Sequence, residues 1–215
     1  MQLRAEQTRH RVLQAASEVF SRRGYAAAGM VEIIEAAGVT KGALYFHFPS
    51  KEALAVAIVE EQTSHWPDLI ARLETAAPDP LIAIVALTHE VGRQFREDPI
   101  VRAGVRLSTE GESIDAELPT PFVTWTRAVH DLLAQARRQG LLRQGVTPGP
   151  TARTIVSGFF GVQHVSQLQT ERRDLDTRLD EFWKVVLAGI SVDSDVARIQ
   201  REAKRAGDRL RHARR

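Results

Sequence analysis

A chain of 215 residues, 43% hydrophobic and 26% charged, has the balance of an ordinary globular protein, and its length suits either one domain or, as the better starting point, a small domain joined to a larger one. Cysteine is absent, which excludes disulfide staples, thiolate zinc sites and a cysteine nucleophile, and no apolar run approaches the roughly 20 residues a membrane span needs. The net charge of +2 hides a segregation: residues 1–51 carry 7 basic against 4 acidic side chains, 52–192 carry 14 against 19, and 193–215 carry 8 against 4, so two basic ends flank an acidic middle and suit a polyanion.

Residues 1–20 are charged throughout and lack the apolar centre of a signal peptide, which points to a cytoplasmic protein. Val12, Ala16, Val19 and Phe20 recur at i, i+4, i+7 and i+8 and predict a first helix that closes near Gly24. A shorter helix is expected over 30–37, with Val31 and Ile34 on one side, broken by Gly38 and Val39. Thr40 has the N-cap side chain for the next helix, in which Leu44 and Phe48 point the same way. Pro49 ends that helix and Ser50 caps another, read as one connector over 51–73 with Leu54, Ile58 and Val59 on its apolar face.

Further helices are expected from Pro80 to about Arg96 and from Pro99 to Thr109, then a loop over 110–121. Phe122, Trp125, Val129, Leu132, Leu133 and Ala136 give a strong helical period, and 147–150 reads as a turn. The helix over 151–169 is apolar on several sides, as a buried or doubly packed helix must be, and 174–190 is the last apolar helix. Within the basic tail, residues 198–215 could extend the last helix, add a non-specific phosphate contact or stay disordered, and disorder or a loose helix is the expectation. No strand candidate, repeat or low-complexity tract interrupts this pattern.

A short helix, a turn containing Gly38 and a second short helix form the geometry that lays one helix across a phosphate backbone and the next into the major groove. In the second helix Thr40, Lys41, Gly42 and Ala43 are the candidate base readers: a hydroxyl, a cation and two residues small enough for close approach. Tyr45, His47 and Lys51 are candidate phosphate clamps, Leu44 and Phe48 inward anchors, and Phe46 is expected to pack. The chain has no asparagine, so bidentate adenine readout would need a glutamine, and this helix has none. Arginine far outnumbers lysine, which fits a GC-rich genome.

The run G-V-T-K-G-A-L-Y-F-H-F-P-S-K-E-A-L over 38–54 closely resembles the signature of the tetracycline-repressor (TetR) family. The resemblance implies an all-α homodimer with an N-terminal helix-turn-helix DNA-binding domain and a larger helical ligand-binding and dimerisation domain. The boundaries drawn from it are 1–51 for the DNA-binding domain, 52–192 for effector binding and dimerisation, and 193–215 for the tail. Further along, V-R-A-G-V-R-L-S over 101–108, P-F-V-T-W over 121–125 and G-V-Q-H-V-S-Q over 161–167 are similar to the γ-butyrolactone-type autoregulator receptors, a branch that represses antibiotic and signalling genes. That branch implies a ligand packed on Trp125 and hydrogen-bonded by Gln62. Its other members carry a threonine where Gly158 stands here, so a polar contact is lost or taken over by Ser157.

An apolar cavity walled by Leu107, Phe122, Trp125, Val129 and Phe159, with Gln62, Ser108 and Gln163 as polar groups, would suit a small amphiphilic signal, although Phe122, Val129 and Phe159 read more simply as core. The scattered histidines give no metal-ligand spacing, no glycine-rich phosphate loop or nucleophile elbow is present, and neither a catalytic site nor a cofactor is expected. The expectation is a repressor released from a pseudo-palindromic operator by a small lactone- or furan-type molecule, with no membrane contact. The alternative is a repressor of an efflux or catabolic gene answering a different lipophilic ligand. The dimer is expected to close through a four-helix bundle of the 151–169 and 174–190 helices of both subunits, and effector binding to move the 51–73 connector.

Overall fold

In the computed structural model, which describes residues 2–212, the chain winds through α1 (Gln2–Ala27), α2 (Met30–Ala37), α3 (Lys41–His47), α4 (Lys51–Ser64), α5 (Trp66–Ala76), α6 (Pro80–Glu97), α7 (Pro99–Thr109), α8 (Pro121–Arg138), α9 (Pro148–Thr170), α10 (Leu175–Ile190) and α11 (Val196–His212). A 3-10 turn at Gly111–Ser113 sits in the α7–α8 connection, and the only β-type pairing among the described residues is an isolated bridge between Leu142 and Ser191. The expected all-α class is therefore what forms. No described helix is long and apolar enough to cross a membrane.

The chain groups into two compact units. One holds the described residues up to Trp66 with Gln94–Pro121; the other holds Pro67–Arg93 with those from Phe122 onward. This grouping differs from the linear cut after Lys51. Leu54, Ala55, Ile58 and Val59 of α4 and Ile100, Ala103 and Leu107 of α7 share one core with Val12, Leu13, Val19, Phe20, Ile33, Leu44 and Phe48. Each such apolar side chain contributes about 1.5–3 kcal/mol by leaving water, so α4 and α7 belong energetically to the head.

Local signals explain the helix ends. Gly24 sits at φ 76°, ψ 175° and breaks the helical path of α1 three residues before its end. Gly38 takes the left-handed conformation that closes α2, and Thr40 then accepts a hydrogen bond from the Ala43 amide at 3.2 Å to open α3. Ser50 and Asp98 cap α4 and α7 in the same way, through Ala53 and Ile100.

Three expectations are corrected. The 51–73 connector is two helices, α4 and α5, divided at His65, because Pro67 has no amide hydrogen to donate and its ring crowds the preceding turn. Pro148, expected in a turn, is the first residue of α9, a position where its fixed φ suits a helix start. The basic tail is neither disordered nor loose: from Val196 it is the 17-residue helix α11, whose Ile199, Ala203, Ala206, Gly207 and Leu210 are buried. Three of those five are small residues, which keep α11 close to its support while adding little to a hydropathy pattern. Within the second unit Arg72 donates to the Leu210 carbonyl at 2.9 Å, Arg209 donates to the Ala76 carbonyl at 2.6 Å, and Arg211 lies 3.8 Å from the buried Glu90 carboxylate. The last residues of the tail, 213–215, and Met1 lie outside the described residues.

Burial of α11 makes a stability difference along one helix. Ile199→Ala should cost about 2–5 kcal/mol, as cavity formation does in a packed core, whereas Arg205→Ala on the exposed side should stay within about 0.5 kcal/mol. Urea unfolding of both variants checks this, and equal midpoints would show that α11 does not pack.

Candidate DNA-reading surface and ligand-facing residues

Leu44 is fully buried and fixes the orientation of α3. At about 100° per residue, Gly42 and Phe46 both fall about 160° from Leu44, at the centre of the outward side, while Tyr45 falls about 100° away and His47 only about 60°. Exposure follows this arithmetic: Lys41, Gly42 and Tyr45 are exposed, Ala43 and His47 are half-buried, and Phe46 is 80% exposed. The expectation that Phe46 packs is thus overturned, while His47 is half-buried rather than fully outward. The His47 ring sits edge-on to Phe46 at 5.1 Å and tilted against buried Phe48 at 6.4 Å. Lys41 Nζ lies 5.9 Å from the centre of the Tyr45 ring, which puts a cation beside a phenol on one flank of the helix. The Thr40 oxygen already accepts from Ala43, which leaves its hydroxyl hydrogen for an outside acceptor.

Lys51 is drawn inward rather than outward. Its ammonium lies 4.4 Å from the centre of the Tyr25 ring and donates to the Ala26 carbonyl at 3.4 Å, and burial lowers its pKa. Tyr25 is the meeting point of three helices. Its hydroxyl donates to Glu52 at 2.6 Å, and its amide, freed by the break at Gly24, donates to Glu110 at 2.6 Å. Arg106 pairs with Glu110 at 2.8 Å and donates to the carbonyls of Ser21 and Arg22, which caps the end of the α1 helical path. The positive φ favours glycine at position 24, and a Cβ there would lie 2.7 Å from the side-chain tips of Arg106 and Glu110 and push them aside. The hydrogen bond from Tyr25, with its own amide and Ser50, pulls the Glu52 carboxyl down to about 2, while burial and the Glu52 charge push the Tyr25 hydroxyl well above its usual range. Sequence reading missed this cluster. Its visible traces were the i,i+4 spacing of Arg106 and Glu110 and a glycine near a helix end.

The expected ligand residues are divided between the two units. In the first, Gln62 is 3% exposed and neither its amide nitrogen nor its oxygen has a hydrogen-bond partner, an arrangement that ordinarily costs about 1–3 kcal/mol. Its side chain lies directly against Gly104 of α7, where a Cβ would overlap the amide oxygen. Leu107 is fully buried, and Ser108 turns its hydroxyl back to the Gly104 carbonyl at 2.8 Å.

In the second unit Trp125 is buried edge-to-face against Phe159 at 4.7 Å and Phe160 at 5.3 Å, Phe122 joins through Phe160 at 4.5 Å, and Val129 is buried one turn further along α8. Gln163 is not a waiting polar group: its amide oxygen accepts from Arg172 at 2.9 and 3.2 Å. Gly158 has a packing reason, because a Cβ there would come within 2.6 Å of the Phe182 ring, and Ser157 is exposed and does not replace the missing hydroxyl. An apolar groove of about 590 Å³ along α9 and α10 is lined by Val162, Val165, Phe182, Val185 and Val186, with Val185 75% exposed. No cluster of metal-ligating side chains occurs among the described residues.

Two family models match this chain, bacterial regulatory proteins of the tetR family over residues 12–58 and the tetracyclin repressor-like C-terminal domain over 79–192. It is 36% identical over 203 residues to the A-factor receptor protein of Streptomyces griseus, an alignment covering 94% of this chain and 71% of that protein. Among solved structures it resembles an ArpA-like γ-butyrolactone receptor at 35% identity and TM-score 0.81, covering 96% of this chain and 99% of the other. It also resembles CprB of Streptomyces coelicolor in complex with its operator sequence, at 35% identity and TM-score 0.78, covering 95% and 98%.

The depressed Glu52 carboxyl has a measurable consequence. A group whose folded pKa lies below its unfolded value of 4.5 stabilises fully above that value and loses its contribution as pH falls toward about 2. Wild type should therefore melt higher than Glu52→Gln at pH 6, and the gap should narrow steadily between pH 5 and pH 2. A gap independent of pH in circular-dichroism melts would remove the Tyr25–Glu52 bond from the head's stability.

Proposed function

The chain belongs to the tetR family of bacterial regulatory proteins, and from that we propose that it is a sequence-specific transcriptional repressor released from its operator by a small lactone- or furan-type signalling molecule. It acts in the cytoplasm by binding alone, without catalysis or cofactor. Its base-reading residues lie within 1–51, on a head that also includes α4 and α7, while the remainder of 52–192 carries dimerisation and the tail braces the second unit.

Support for the DNA-binding half comes from α3, which presents Lys41, Gly42 and Tyr45 outward on a helix anchored by Leu44 and capped by Thr40. A homodimer is needed to set two such helices about 34–36 Å apart on a pseudo-palindrome. The apolar faces of α9 and α10, with Val165, Val185 and the groove beside Phe182, suit the four-helix bundle that would join the copies.

The observation that carries the effector half is Gln62. A fully desolvated amide with no partner is costly unless something supplies the missing hydrogen bonds, and a lactone or furan oxygen can accept from its nitrogen. Trp125 is the candidate apolar contact, since its branch-like position on α8 lies in an aromatic cluster. Signal transfer follows from the first unit's connections. Gln62 stands about 15 Å along α4 from Glu52, and Gly104, which it touches, stands about 9 Å along α7 from Glu110; both carboxylates end on Tyr25. A ligand that parts Gln62 from Gly104 shifts α4 against α7 and so turns the end of α1 on which the head is built.

The test begins with duplexes selected from a randomised library by the full-length protein, followed by titration with a panel of synthetic γ-butyrolactones and alkylfurans. One class should weaken operator binding by about 5–150-fold, the usual range of coupling. Gln62→Leu should keep operator affinity and lose most of that response, and Trp125→Ala should weaken ligand binding. DNA binding indifferent to sequence, or unchanged release of both variants, would contradict the proposal.

A further inference from the structure

We infer that Phe46 reads the C5-methyl group of a thymine in each half-site, which makes it a specificity-determining residue that the hydrogen-bonding side chains of α3 do not supply. The inference rests on the proposed DNA-reading role of this helix. Phe46 is the most exposed residue of α3 for which exposure has no solvation benefit, 80% open to water at the centre of the outward side. One turn earlier on the same line is Gly42, and a Cβ built there would meet nothing within 4 Å, so the backbone leaves a shelf beside the ring.

The ring is not loose. His47 props it edge-on at 5.1 Å, and His47 in turn leans on Phe48, which is buried. Lys41 and Tyr45 stand together on one flank of the same surface, where the phenol can take a phosphate, and Phe46 holds the central outward position. A phenyl ring offers no hydrogen bond, so against most major-groove edges it would strip water from donors and acceptors without replacing it. Thymine alone presents an apolar group there, and phenylalanine is among the side chains suited to it. The ring therefore favours thymine and disfavours cytosine, which lacks the methyl and shows an amino donor.

The experiment uses the full chain and duplexes it selects from a randomised library, with each thymine replaced singly by deoxyuridine, a change that deletes only the methyl. For wild type, one position per half-site should respond, weakening binding about four-fold for one methyl and about fifteen-fold for both half-sites. Phe46→Ala, which melts like wild type because the side chain is exposed, should bind thymine and deoxyuridine duplexes equally at that position, and Phe46→Leu should retain part of the difference. If wild type selects a sequence but Phe46→Ala keeps every deoxyuridine penalty, this inference is wrong while the DNA-reading role stands. If wild type selects no sequence, that role and this inference fall together.

Discussion

Tyr25 is where the first unit is tied together. The α1 helical path stops at Gly24, which frees the Tyr25 amide for Glu110 of the loop after α7 and swings the phenol to Glu52 at the start of α4. Arg106 caps the carbonyls left open by the same break, and Lys51 closes over the ring. Those to Glu110, Glu52 and the Ser21 carbonyl are charge-assisted bonds at 2.6–3.0 Å in a half-buried setting, where each is roughly twice as strong as its neutral counterpart. Without them the end of α1 would lose its cap, and α2 and α3 would rest on the rest of the unit through apolar contacts and the exposed Arg23–Glu32 pair at 2.9 Å.

The same arrangement explains why a regulator can be built on a small head. Apolar side chains of Leu44, Phe48, Leu54 and Phe20 pack α3, α1 and α4 as one body. Directional bonds at Tyr25 then decide where that body stands relative to α7. At the far end of the same two helices sits the one unpaired buried amide among their described polar side chains, that of Gln62, touching Gly104. Cost is stored at one end and direction is controlled at the other. Coupling through such a pair needs two discrete packings of α4 on α7, not a continuous deformation.

How far this was legible in the sequence depended on the range of the forces. Short-range signals were read correctly: Gly38 between α2 and α3, the Thr40 and Ser50 caps, and the inward pair Leu44 and Phe48. Pro67 was a visible breaker that the apolar periodicity of residues 51–73 concealed. The outward position of Phe46 follows from helix arithmetic, but its chemistry argued for burial and prevailed. The burial of α11 depends on small residues, Ala203, Ala206 and Gly207, whose packing value appears only when a partner surface is present. The Tyr25 cluster joins residues 85 positions apart, a separation at which no local pattern operates. Gln62 entered through family resemblance, and Gly104 beside it acquires meaning only in three dimensions.

The most direct measurement is the ligand-induced change in operator affinity for Tyr25→Phe combined with Glu110→Ala, which removes both Tyr25 bonds, and the Arg106–Glu110 pair with them, while leaving the apolar core and Gln62 in place. Fluorescence anisotropy with and without the active member of the lactone and furan panel gives the coupling factor. If α4 and α7 act on the head through Tyr25, ligand affinity is retained and the coupling factor, taken relative to the variant's own operator affinity without ligand, falls to less than a third. A double variant that binds ligand and is still released to the wild-type extent would contradict this route.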